Sequence, residues 1–294
     1  MSHHTTSVDM MRRSVMLARA EHWVMHSRGG RRYRIITAQP TGPAPPSGYP
    51  VIYLLDGNSV FHTMVETLRL QCHRPDKTGI LPAVVVGIGY ETEGQYASDR
   101  FYDYTPYPNT KFRNKLDGDS VPEQGGAAEF LQFIEEKLKP QIEGEFNIDR
   151  HRQTIFGHSL GGLFTLYAMF SKPRSFSCYI AGSPSIHWNP EYLGELEQHY
   201  ADQMKERPYP VRLLLGVGEL ERSHVTGNSI SASELAKRLA VLSEYGMYAE
   251  FKEFEGEGHL SVLPVLISKA LRFALHPEHE GDDHQWKAQV LEGK

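Results

Sequence analysis

Cysteine is scarce in this 294-residue chain: there are two, Cys72 and Cys178, far apart in sequence. That excludes a disulfide-framed scaffold and any close Cys–Cys or Cys–His spacing of the kind that holds structural zinc. One disulfide is conceivable, but two buried thiols are the simpler expectation. Long apolar runs are also lacking, and none approaches the roughly 18 residues a membrane-crossing helix needs. Nor is there a basic excess. Lys and Arg number 31 against 36 Asp and Glu, for a net charge of −5, which leaves no electrostatic footprint for nucleic acid. The 15 histidines are scattered, and His3-His4 falls in a polar N-terminus. Near that end Arg12-Arg13 and Ala18-Arg19-Ala20 imitate the flanks of a secretory leader. The apolar stretch between them is shorter than the about seven residues such a leader requires. The expected location is therefore the cytoplasm, or the periplasm had a leader been trimmed away.

What is present points to an ordinary globular protein. Hydrophobic residues make up 40% and charged residues 23%, and the length suffices for one large α/β domain over 1–294. Its ends are expected to be an N-terminal arm at 1–20 and a polar tail at 279–294. Residues 23–26 and 33–37 flank a Gly-rich turn and suit a β-hairpin. The proline-rich stretch 39–50 reads as a loop. Residues 51–55 and 83–88 are apolar runs of the kind found in strands buried on both faces, 152–156, 177–181 and 211–217 read as further strands, and 248–254 alternates as one more. Helical spacing recurs at 61–70, 127–138 (closed by Pro140), 162–170, 231–242 and 263–274. Strands alternating with helices predict a mostly parallel sheet covered on both faces. Residues 89–122 are polar, aromatic-rich and without periodicity, and are expected to form a lid-like insertion.

Gly157-His158-Ser159-Leu160-Gly161 carries the chemistry. It reads G-x-S-x-G between a short strand and an apolar helix, the setting of a nucleophile elbow in an α/β-hydrolase. Gly157 and Gly161 would let strand and helix approach closely around a strained serine. Ser159 is then the candidate nucleophile, with the Leu160 amide at the helix start facing a developing oxyanion. A serine needs a base, and in this architecture the order is Ser, acid, His. His259, in Gly258-His259 after the last strand, fits the base. The acid lies on the loop Gly218-Glu219-Leu220-Glu221: Glu221 or Glu219, with Glu221 favoured by its spacing from Gly218. The second oxyanion donor is expected after the strand ending at Leu55, from the Asn58 amide first and Gly57 next.

Several segments together resemble the trilactone siderophore esterases, the hydrolases of enterobactin and salmochelin within the esterase D-like α/β-hydrolases. They are Leu54-Leu55-Asp56-Gly57-Asn58-Ser59-Val60, Val86-Gly87-Ile88-Gly89-Tyr90, Arg100-Phe101-Tyr102-Asp103-Tyr104-Thr105-Pro106, the elbow with Gly162, Ser183-Pro184-Ser185 and Gly258-His259. The Arg-x-Tyr-Asp-Tyr-Thr-Pro segment is the specific part; the elbow is common to all α/β-hydrolases. The resemblance implies hydrolysis of the ester bonds of a catecholate trilactone, in its ferric form, releasing iron. It also implies that Arg100 contacts the polyanionic catecholate, with Tyr102 beside it. A structural alternative pairs Arg100 with Asp99 or Asp103. Trp188 is equally suited to line a catechol site or to pack in the core. Some family members work with a Ser-His dyad, whereas this chain has an acid loop. No metal cofactor is implied, because iron arrives with the siderophore. The competing readings are a general carboxylesterase acting on aryl or feruloyl esters, and a non-catalytic siderophore binder.

Overall fold

The structure, a computed structural model, describes residues 17–109, 122–223 and 228–276. Its centre is an eight-stranded sheet in the order β1-β2-β4-β3-β5-β6-β7-β8. The strands are β1 (Ala20–His26), β2 (Arg32–Ala38), β3 (Tyr49–Leu54), β4 (Val84–Gly89), β5 (Ile148–His158), β6 (Cys178–Gly182), β7 (Val211–Gly218) and β8 (Met247–Phe254). The first two form the expected antiparallel hairpin, β2 also pairs antiparallel with β4, and the remaining pairs are parallel. Every residue of β3, β4 and β6 is buried. That is why these strands read as unbroken apolar runs, since both sheet faces are covered.

The helices are α1 (Gly57–Cys72), α2 (Pro75–Thr78), α3 (Arg100–Tyr104), α4 (Ala127–Phe133), α5 (Lys139–Glu145), α6 (Leu160–Ser171), α7 (Pro190–Glu206), α8 (Asn228–Ala240) and α9 (Val262–Leu275). Two core clusters lie on opposite faces of the sheet. One packs α4, α6 and α7 against the strands; the other packs α1 and α9.

Three expectations need correction. The helix anticipated to end at Pro140 runs on to Glu145. A π-turn over Ile134–Leu138 joins α4 to α5, and the Lys139 amide bonds the Ile134 carbonyl. This wider register accommodates a proline, which has no N–H to donate to the preceding turn. The segment 89–122 is not irregular throughout, because α3 lies within it. Its Asp103 carboxylate accepts from Tyr33 Oη and Tyr90 Oη, each at 2.9 Å, which anchors the segment to the sheet. Burial pushes that carboxyl up to about 7, although both tyrosine bonds oppose the shift. Residues 110–121, the first 16 residues of the arm and the tail at 279–294 lie outside the described residues. Finally, Ala20, placed in the arm by the sequence, begins β1.

Candidate active site

The parallel register brings the C-terminal ends of β5, β6, β7 and β8 to one edge: His158 pairs with Gly182, Gly182 with Gly216, and Gly218 with Phe254. Ser159 follows β5 directly and sits at φ 59°, ψ −116°. A non-glycine residue with this backbone is strained, and three backbone hydrogen bonds hold it there. Its amide donates to Gly182 O at 2.9 Å, and its carbonyl accepts from Leu163 N at 3.0 Å and Ser185 N at 3.1 Å. The tight approach falls on Gly157 and Gly162. A Cβ at Gly157 would lie 2.1 Å from the Gly161 carbonyl oxygen, and one at Gly162 would lie 2.7 Å from that of Gly182. At Gly161, where the sequence also suggested a close approach, the nearest atom would be at an ordinary 3.5 Å.

Glu221 lies on a 3₁₀ turn, Glu219–Ser223, that follows β7. His259 lies between β8 and α9, and the Leu220 amide bonds the Glu257 carbonyl at 3.0 Å, joining the two loops. His259 Nδ1 is 2.8 Å from Glu221 Oε2, and Nε2 is 3.1 Å from Ser159 Oγ. An ionised carboxylate only accepts, so Nδ1 carries the proton and Nε2 accepts from the serine hydroxyl. Burial of Glu221 works against its charge. Bonds from His259, Ser183 and the Gly218 amide outweigh this and hold its carboxyl below the usual range. Glu219, the alternative acid, points elsewhere: its Oε2 accepts from the Gly256 amide at 2.9 Å.

His158 is buried with its ring centroid 4.7 Å from that of His259. Burial first, and then the neighbouring His259, bring its pKa down to about 3, so it stays neutral beside His259.

The Leu160 amide begins α6, and the Asn58 amide lies in the first turn of α1. Neither has a hydrogen-bond acceptor among the described residues, as expected for first-turn donors. The Asn58 side chain is fixed by the loop after β4. Its Oδ1 accepts from Tyr90 N at 2.8 Å, and its Nδ2 donates to the Tyr90 and Thr92 carbonyls at 3.0 and 3.1 Å. Gly57 adjoins Asp56, which takes the left-handed conformation at φ 53° and donates its amide to Tyr104 Oη at 2.9 Å.

Arg100 pairs with Asp56, not with Asp99 or Asp103. Nε meets Oδ1 and Nη2 meets Oδ2, each at 2.9 Å, between side chains only 11% and 5% exposed. The pair uses Nε–H and one Nη2 hydrogen, and the three remaining N–H groups of the guanidinium lie outside it. Tyr102 lies under the Arg31 guanidinium, 3.5 Å from its ring centroid, and its hydroxyl pairs with Glu129. None of these partners belongs to the Ser159 cluster. Trp188 is buried in the core, 6.2 Å from the Phe101 ring, and donates its indole N–H to Tyr107 O at 3.1 Å. The sequence reading missed Asp56, His158 and Ser183 as parts of this site. All three stand within quoted segments, but no role was attached to any of them.

Comparison with known proteins agrees with this geometry. The "Putative esterase" family model matches residues 27–261. The chain is 55% identical over 257 residues to the ferri-bacillibactin esterase BesA of Bacillus subtilis (strain 168), covering 87% of this chain and 89% of that one. It is 43% identical over 265 residues to the siderophore enterobactin esterase of Emericella nidulans, covering 81% and 86%. The crystal structure of the BES protein from Bacillus cereus superposes with a TM-score of 0.84 at 42% identity, covering 90% of this chain and 99% of that one. The chain thus belongs to the esterase family of α/β-hydrolases, within the group that contains the siderophore esterases.

Proposed function

We propose that this chain is a serine esterase, working as one catalytic unit, that cuts the ester bonds of a ferric catecholate trilactone and so frees its iron. Ser159 Oγ attacks the ester carbonyl while its proton passes to His259 Nε2. The Leu160 and Asn58 amides receive the oxyanion, with Gly57 shaping their approach. Glu221 holds the imidazole in its tautomer and stabilises the imidazolium. Collapse expels the alcohol, which takes the proton from His259 and leaves an acyl-enzyme on Ser159. Water activated by the same histidine then releases the acid. Arg100 supports this chemistry through Asp56, by holding the loop that carries Asn58. The free thiols of Cys72 and Cys178 favour a reducing compartment, the cytoplasm.

The observation that carries the reading is the Ser159–His259–Glu221 relay in a chain so similar to a ferri-bacillibactin esterase. The test compares kcat/KM for ferric enterobactin, iron-free enterobactin and a short p-nitrophenyl ester. A preference for the trilactone above roughly tenfold, beyond what one added apolar contact supplies, supports the siderophore reading. A smaller ratio makes the protein a general carboxylesterase, and failure to cut any of the three makes it a binder.

A further inference from the structure

One turn touches both ends of the relay. Ser183-Pro184-Ser185 follows β6, between the strand that carries the elbow and the strand that carries the acid. Ser183 is fully buried and sits at φ 39°, a left-handed value for a residue with a side chain. Its amide donates to Gly216 O at 2.7 Å, so the backbone is pinned there. Its hydroxyl donates to Glu221 Oε1 at 2.6 Å, beside the Gly218 amide at 2.8 Å on the same oxygen. Glu221 Oε2 is thereby left to His259 Nδ1. Two residues on, the Ser185 amide donates to the Ser159 carbonyl at 3.1 Å, and the Ser185 and Ser159 hydroxyl oxygens are 3.5 Å apart.

Building on the proposed mechanism, we infer that Ser183 is a positioning residue of the relay, whose hydroxyl fixes the rotamer of Glu221 and thereby the orientation and basicity of His259. The reasoning is geometric. A carboxylate with both oxygens free could swing, and a swinging acid does not hold one imidazole tautomer. Two donors on Oε1 lock the plane and present Oε2 to Nδ1. The strain at Ser183 is consistent with a residue kept for its side chain, since glycine would adopt this backbone at no steric cost.

The test uses Ser183→Ala and Ser183→Gly in the full chain, assayed with enterobactin and with a p-nitrophenyl ester. Both remove the hydroxyl, and Ser183→Gly also relieves the backbone. We expect kcat to fall roughly tenfold in both, with KM within about twofold, as for loss of one charge-assisted hydrogen bond behind the reacting atoms. With one donor gone Glu221 is more basic and stabilises the imidazolium more. The acid limb of the kcat/KM profile should therefore move upward, by about half a pH unit. Among the described residues, Glu221 from the β7 turn and His158 from β5 are the ionisable side chains in contact with His259. His158 stays neutral across that range, so the limb reads the Glu221–His259 pair. Thermal melts check folding, and Ser183→Gly keeps the question open to test should Ser183→Ala not fold. Parental kcat and pH profile in Ser183→Gly would overturn the inference, because strain rather than the hydroxyl would then be the whole effect. Ser159→Ala separates the two layers. If it is inactive while the Ser183 variants behave as the parent, only the Ser183 assignment fails. If it is fully active, the serine mechanism fails.

Discussion

Replacing Arg100 with methionine should be one of the most damaging changes away from the relay itself. The guanidinium meets the Asp56 carboxylate through two parallel 2.9 Å bonds, and both side chains are almost wholly withdrawn from water. Methionine fills much of the volume but leaves a buried carboxylate unpaired. Breaking such a pair from one side costs about 3–5 kcal/mol, a large share of the roughly 5–15 kcal/mol that holds a domain together. At about 2–4 °C per kcal/mol, the melting temperature should drop by roughly 6–20 °C. Arg100→Lys should fall in between, since an ammonium supplies charge without the fork. The double change Asp56→Asn with Arg100→Met removes both charges and should recover most of the loss. Urea denaturation followed by tryptophan fluorescence measures all three. A cost below about 1 kcal/mol for Arg100→Met would refute the reasoning, because that is the size of an exposed ion pair. Full stability with lost siderophore affinity would return Arg100 to direct substrate contact.

Two further outcomes follow from the burial of titratable groups. The His158 pKa lies near 3 in the folded protein against an ordinary 6.5. The unfolded chain therefore binds the extra proton first, and the stabilising contribution of neutral His158 is complete above about pH 6.5 and declines as pH falls toward 3. NMR should show one imidazole that does not titrate between about pH 4 and 8, and His158→Phe should flatten the pH dependence of stability in that window. The buried Cys178 thiol is pushed up to about 11 by burial. An aromatic disulfide reagent at neutral pH should thus label half-buried Cys72 first, and Cys178 only on unfolding.

Much of this fold is legible in the sequence because a doubly covered sheet demands continuous apolar strands, and β3, β4 and β7 supply them. The helix α7 was not anticipated. Along its 17 residues only Leu193, Tyr200 and Met204 are buried, too sparse a stripe to stand out among its charges. Continuation through Pro140 was hidden because a π-turn depends on backbone register rather than residue type. At the site, Ser159, Leu160, His259 and the acid loop could be proposed from the sequence because each follows the end of a particular strand in a fixed order. The choice of Glu221 over Glu219 depended on which side chain turns inward, a matter of the 3₁₀ turn. The Arg100–Asp56 pair joins residues 44 positions apart. Its charges looked equally suited to sequence neighbours, and only the packing of α3 against the loop between β3 and α1 identifies the partner. Ser183 was invisible as a relay partner because a serine after a strand carries no signature of what its hydroxyl meets.

The central claim is that Ser159 opens siderophore esters, and mass analysis of enterobactin after incubation with the parent and with Ser159→Ala tests it most directly. The parent should convert the trilactone into linear products carrying one added water per ester cut, while Ser159→Ala leaves the ring intact. Equal product formation by both proteins, or an intact ring in the presence of the folded parent, would contradict the account.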